Sequence, residues 1–149
     1  MSLISSFTSW NRNSEFDAYA QRVSKATGLP ILRIAYGVHE RRSGETAVIC
    51  PSVGRFLSLF FGAEIVLTDS FHGTAFSVNL EKRFVSVSPG RFSGRIAGFL
   101  EKMDLSERYL NDCGDVDLAL EDIDFTEIVG ALEKERNKAK GFLTRAVEL

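Results

Sequence analysis

The sequence predicts an α/β domain, Rossmann-like, with a mostly parallel sheet and helices on both faces. Three observations carry that prediction. Short runs of β-branched and aliphatic residues alternate with longer segments whose apolar residues recur every three or four positions. Gly and Pro punctuate the junctions, at Gly28, Pro30, Pro51, Gly62 and Pro89-Gly90. The 149 residues suit one domain with a real core, so 1–149 reads as a single α/β domain. Strands alternating with helices pair in parallel, and right-handed crossovers put the helices on both faces.

Residues 3–7 are a short strand candidate. Ser14 reads as a helix N-cap, with Asp17 three positions on in a loose capping box. Phe16, Tyr19, Ala20 and Val23 then share one face of a helix that Gly28 and Pro30 stop. Strands follow at 32–36 and 46–50. Pro51-Ser52 opens a short helix carrying Phe56, Leu57, Leu59 and Phe60, and Gly62 ends it. A buried strand at 64–68 leads into a helix that reaches about Leu80, and another strand at 83–87 ends in the Pro89-Gly90 turn. Ile96, Phe99, Leu100 and Met103 place the next helix on the core. Residues 111–125 are acidic and irregular, expected to be a solvated connector; their spacing matches a calcium loop poorly. From about Thr126 a long helix has apolar ends and a polar middle at 134–138.

Composition excludes several function classes. At 44% hydrophobic and 26% charged residues the chain is globular, and a formal charge of −2 argues against bulk electrostatic binding of nucleic acid. No apolar run approaches the roughly 20 residues of a membrane helix, and the N-terminus lacks signal-peptide character, so a cytoplasmic location without a transmembrane segment is expected. Cys50 and Cys113 are far apart and read as idle or buried thiols of a reducing compartment. His39 and His72 are the only histidines, with no Cys or His cluster around either, so no metal site is expected.

The chemistry concentrates at "VLTDSFHGTAFSVN", residues 66–79, where an apolar strand runs straight into a helix. Ligands of open α/β sheets bind beyond the carboxyl ends of the strands. A helix start there offers backbone N–H groups without intrahelical partners, and its dipole attracts anions. Ser70 and Thr74 add hydroxyls, Gly73 allows close approach to the backbone, and His72 adds a side chain of the type that titrates near neutral pH. From spacing alone, a plain helix start capped by Asp69 or Ser70 with His72 packed nearby is the alternative. A Ser/His hydrolase is a weaker idea, because Ser70 and His72 are too close in sequence and G-x-S-x-G is absent.

The block "AEIVLTDSFHGTAFSVNLEKRFVSV" resembles the signature region of the polysaccharide pyruvyl transferases. The preceding "PSVGRFLSLFFGAE" and the later "SGRIAGFLEKMDLSERYL" are similar to neighbouring segments of that family, and the resemblance spans roughly residues 30–111. It implies a two-domain, glycosyltransferase-B-like (GT-B-like) architecture with the active site in the interdomain cleft. This chain would then be the C-terminal, donor-binding half, with the N-terminal domain absent and the last helix running toward it. The implied reaction is transfer of pyruvate from phosphoenolpyruvate to a sugar, giving a pyruvate ketal in cell-surface polysaccharide biosynthesis. No cofactor is implied beyond that donor substrate, and the acceptor is a saccharide, lipid-linked or free. His72 would be the catalytic residue. Ser70, Phe71, Gly73, Thr74 and Arg95 would bind substrate, with Arg91, Arg33 and Arg55 as weaker cation candidates. Where relatives carry Lys-Pro-Phe, this chain has Lys82-Arg83-Phe84, expected to alter only the start of a strand. A non-catalytic module that binds a nucleotide-sugar or phosphorylated ligand at the same helix end is the competing reading.

These readings make one geometric prediction: strand 64–68 is an inner strand of a parallel sheet, a helix starts within two residues of His72, and the His72 side chain or its neighbouring backbone N–H groups face an open cleft. A His72 enclosed in the core would remove it from any active site.

Overall fold

The computed structural model describes residues 3–7, 14–90 and 93–147, the first of these segments by its backbone alone. In chain order the elements are β1 (Leu3–Phe7), α1 (Ser14–Thr27), β2 (Ile31–Ala35), β3 (Thr46–Ile49), α2 (Val53–Gly62) and β4 (Ala63–Thr68). There follow α3 (Phe71–Asn79), β5 (Arg83–Val87), α4 (Gly94–Lys102), β6 (Tyr109–Leu110) and α5 (Thr126–Val147). The strands form a six-stranded sheet in the order β3-β2-β1-β4-β5-β6, and every pairing is parallel. The chain steps outward from β1 to β3, returns through α2 to β4, and steps outward again. Strand order therefore reverses between β1 and β4, which opens a crevice at their carboxyl ends.

Helices cover both faces of the sheet. Even-numbered strand residues Leu32, Ile34, Val66 and Phe84 pack with Leu59 and Phe60 of α2, Val78 of α3, Ile96 and Leu100 of α4 and Ile128 of α5. Odd-numbered Ile31, Ile65, Leu67, Val85 and Val87 pack with Phe16, Tyr19, Ala20 and Val23 of α1, and with Leu118 and Ala119. A strand buried on both sides reads as an unbroken apolar run, which is why 65–67 shows no alternation. Gly28, at φ +71, ends α1 in the left-handed conformation, its N–H bonded to the Ser24 carbonyl at 2.8 Å.

Two sequence expectations change. Helix α1 already includes Ser14, and Asp17 turns to arginines rather than to a capping box: its carboxylate lies 2.8 Å from Arg33 Nη2 and 2.6 Å from Arg42 Nε. Arg33 is buried on β2 and also meets Glu45 at 2.6 Å. Burial opposes its charge, but Glu45 and Asp17 outweigh that cost and hold its pKa above the usual arginine value. An arginine so enclosed cannot serve a substrate. The acidic segment is solvated, as expected, with Asp112, Asp115, Asp117, Glu121, Asp122 and Asp124 all exposed, and it is also tied down from beneath. The Arg108 guanidinium, buried below it, donates to the carbonyls of Leu118 at 2.7 Å and Asp122 at 3.1 Å, and Asp124 Oδ1 accepts the Thr126 N–H at the start of α5. Of the thiols, Cys113 is buried and Cys50 exposed, both free. The departure at Arg83 leaves β5 paired from its first residue, opposite Ile65.

Tyr19 generates a pH prediction. Its ring is fully buried and its hydroxyl donates to the Asp115 carbonyl at 2.7 Å. Burial, reinforced by the Asp115 carboxylate, pushes the phenol far above its ordinary value. Above about pH 10 the unfolded phenol ionises while the folded one does not, so the unfolded state binds fewer protons and stability falls as pH rises. Tyr19→Phe should cost about 1 kcal/mol at neutral pH and make the alkaline decline shallower in urea titrations. Equal alkaline slopes in the two proteins would refute this role for Tyr19.

Candidate functional site

Only Asp69 and Ser70 separate β4 from α3. The turn is tight because Thr68 Oγ1 accepts the Ser70 N–H at 3.0 Å. Ser70 stays extended (φ −106°, ψ 134°) as the N-cap, without a side-chain cap bond. Its carbonyl accepts the Thr74 N–H at 2.9 Å, the first helical bond. The N–H groups of Phe71, His72 and Gly73 are thus the first-turn donors that a helix leaves without intrahelical partners. They stand at the carboxyl end of an inner strand, beside the point where strand order reverses. His72 is exposed, as the sequence predicts, while Asp69 is buried at 4% exposure.

Helix α4 completes the cluster. The Phe71 ring stands edge-on to Phe99 at 5.8 Å and to His72 at 6.1 Å between centroids, and the Arg95 guanidinium carbon lies 5.5 Å from the Phe71 ring centroid. Phe71 is therefore a shared platform that brings a guanidinium and an imidazole to the same helix start. Such a cation–π contact is worth about 0.5–1 kcal/mol at an exposed site, enough to bias the arginine's rotamers without holding it rigidly. One turn along α3 from His72, Phe76 walls an apolar cavity of ≈ 410 Å³ with Ile34, Tyr36, Cys50, Val53 and Phe56.

Two expected substrate contacts turn inward. A Cβ at Gly73 would sit 2.2 Å from Thr68 Oγ1 and 2.9 Å from Thr68 Cβ, so helix-on-strand packing by itself requires Gly73. Thr74 is fully buried, its hydroxyl bonded to the Ser70 carbonyl at 3.0 Å and to Ser86 Oγ at 2.7 Å. It ties α3 to β5 and offers no hydroxyl to a ligand; from Gly73 only the backbone N–H is left for one. Of the other arginines, exposed Arg55 lies on the first turn of α2, after edge strand β3, and Arg91 lies outside the described residues. The sequence missed Thr68, Ser86 and Phe99. Strand register and helix packing bring them here; Thr68 stands within the junction motif, whereas no local motif marks Ser86 or Phe99. Among the described residues no three His, Cys, Asp or Glu side chains stand close enough to hold a metal ion.

The family model described as polysaccharide pyruvyl transferase matches residues 4–91, more than half of the chain, from β1 through the start of α3 to just beyond β5. The chain belongs to the polysaccharide pyruvyl transferase family. No curated protein matches it. The pyruvyl transferase match contains Ser70–Thr74 but stops short of Arg95, which joins the site through its contact with Phe71. No helix among the described residues is long and apolar enough to cross a membrane.

The seat of this pyruvyl transferase helix is testable by overpacking. Gly73→Ala should cost about 1–3 kcal/mol, because Thr68 belongs to the sheet and cannot retreat. Arg95→Ala, at an exposed position, should stay within about 0.5 kcal/mol of the parent. Urea midpoints measure both, and an unshifted Gly73→Ala would show that α3 is not held against Thr68.

Proposed function

We propose that the start of α3 holds phosphoenolpyruvate and that the pyruvyl group passes from it to a saccharide, forming a cyclic ketal and releasing phosphate. The observation that carries this reading is an exposed histidine in the first turn of a helix whose N-cap, Ser70, makes no side-chain cap bond, inside the family-matched segment, with Arg95 stacked on the adjoining ring. The N–H groups of Phe71, His72 and Gly73 hold one anionic group of the donor. Arg95 grips another through its planar fork. Ser70, half-buried at the N-cap, adds a hydroxyl.

The chemistry follows from the donor. Protonation of the terminal vinyl carbon turns it into a methyl group and leaves positive charge on the neighbouring carbon. One sugar hydroxyl attacks that carbon. A second hydroxyl displaces the phosphate, so the carbon ends with a methyl, a carboxylate and two sugar oxygens. Of the two hydroxyl protons, one balances the methyl and the other leaves with phosphate. His72, in this reading, donates the first proton or neutralises the departing phosphate. In this reading the domain is the donor-holding half of a GT-B-like enzyme of polysaccharide biosynthesis. The acceptor, lipid-linked or free, is met by a further domain, and the 149 residues bind donor without turning over.

The experiment is a calorimetric titration of phosphoenolpyruvate into the chain, paired with phosphate release by the complete enzyme. Arg95→Ala should weaken donor binding about tenfold or more, as expected for loss of a charged hydrogen-bonding group. His72→Gln should lower turnover about 10²–10⁴-fold as loss of a general acid. A chain that ignores phosphoenolpyruvate but binds a nucleotide-sugar would replace this proposal with a non-catalytic binding module.

A further inference from the structure

We propose that Thr68 and Ser86 are positioning residues for His72, an inference that rests on the reading of His72 as the ligand-facing group. Thr68 and Ser86 are direct partners in the β4–β5 register, side by side at the carboxyl ends of adjacent strands. Both are fully buried, on the sheet face where Val66 and Phe84 meet the helices. The apolar core therefore ends in two hydroxyls beneath the first turn of α3.

Each hydroxyl receives one of two consecutive helix residues. Thr68 lies directly under Gly73, leaving no room for a Cβ, and its Oγ1 takes the Ser70 N–H at 3.0 Å. Ser86 Oγ meets Thr74 Oγ1 at 2.7 Å. The first contact fixes the height of the helix above the sheet. The second fixes its rotation, because a hydrogen bond is directional and Thr74 must face β5 to make it. Residues two apart on an α-helix point about 200° apart, so turning Thr74 inward turns His72 outward to the crevice. Neither seat residue reaches solvent, so neither touches a ligand; both act through the orientation they impose.

The test uses the 149-residue chain, its Ser86→Ala variant and each of these with His72→Gln. In Ser86→Ala, Thr74 keeps its bond to the Ser70 carbonyl, so the fold persists with a looser rotation of α3. Two readouts are taken well below the melting transition. Without ligand, nuclear magnetic resonance follows the His72 ring and the amides of Phe71, His72 and Gly73. With phosphoenolpyruvate, calorimetry follows affinity. Ser86→Ala should move those resonances while the amides of α5 keep theirs, and weaken binding about threefold to tenfold, the range of a neutral hydrogen bond. In the His72→Gln background the same substitution should cost less affinity than in the parent, because the share that acts through the His72 side chain is already lost. Equal losses in both backgrounds would mean that Ser86 is merely structural and would overturn the proposal. So would unmoved His72 resonances with unchanged affinity. If the parent chain itself fails to bind phosphoenolpyruvate, the functional reading falls, while the ligand-free spectra still decide the positioning. Should Ser86→Ala not fold, Thr68→Ser keeps the hydroxyl that accepts the Ser70 N–H, removes only the methyl, and should give a smaller shift of the same resonances, whose complete absence would overturn the proposal.

Discussion

Helix α3 lies close enough to the sheet only because Gly73 presents no side chain to Thr68. That contact lets a two-residue turn join an inner strand to a helix, and the short turn aims the first N–H groups at the crevice. The same closeness buries three hydroxyls, those of Thr68, Thr74 and Ser86. A buried hydroxyl without a partner is costly, and here each has one, so the seat is polar and satisfied rather than a defect in the core. His72 is outside because these residues are inside.

Burial sorts the arginines in the same way. Arg33 and Arg108 are enclosed, one neutralised by carboxylates of α1 and the segment before β3, the other spent on carbonyls of the acidic segment. Both stabilise the domain and neither is available to a ligand. Arg95 keeps its charge near water, at the modest energy of stacking on Phe71. A cation held by a ring can rearrange to meet an anion, whereas one held by two carboxylates cannot.

Helix α5 divides along its length. Its first turns pack on the core through Ile128, Ala131 and Leu132, and its polar middle crosses α3, where Arg136 Nη2 meets Asn79 Oδ1 at 2.7 Å. Beyond that, Phe142 and Leu143 are exposed, as are Tyr36 and Val53 at the rim of the cavity near α3. The polar residues at 134–138 thus mark where the helix leaves the core and passes over another helix end.

The sequence by itself determined the order of elements and the class of fold. Runs such as 65–67 are apolar on both faces, and the faces of α1 and α4 repeat at helical spacing, so each segment carries its own signal. It also singled out the candidate site, because the junction residues Ser70–Thr74 are contiguous and their motif is local. Which of those residues face the crevice was decided only by tertiary structure. Gly73 and Thr74 are indistinguishable from ligand contacts in the sequence, and it took the register of Thr68 against Ser86 to turn them inward. Arg95 and Arg33 look alike as letters; the Phe71 ring keeps one at the surface, and Asp17 and Glu45 draw the other into the interior. The physical reason is the same in each case: local pattern fixes what an element is, while the strand beneath it and the charge beside it fix which way its side chains point.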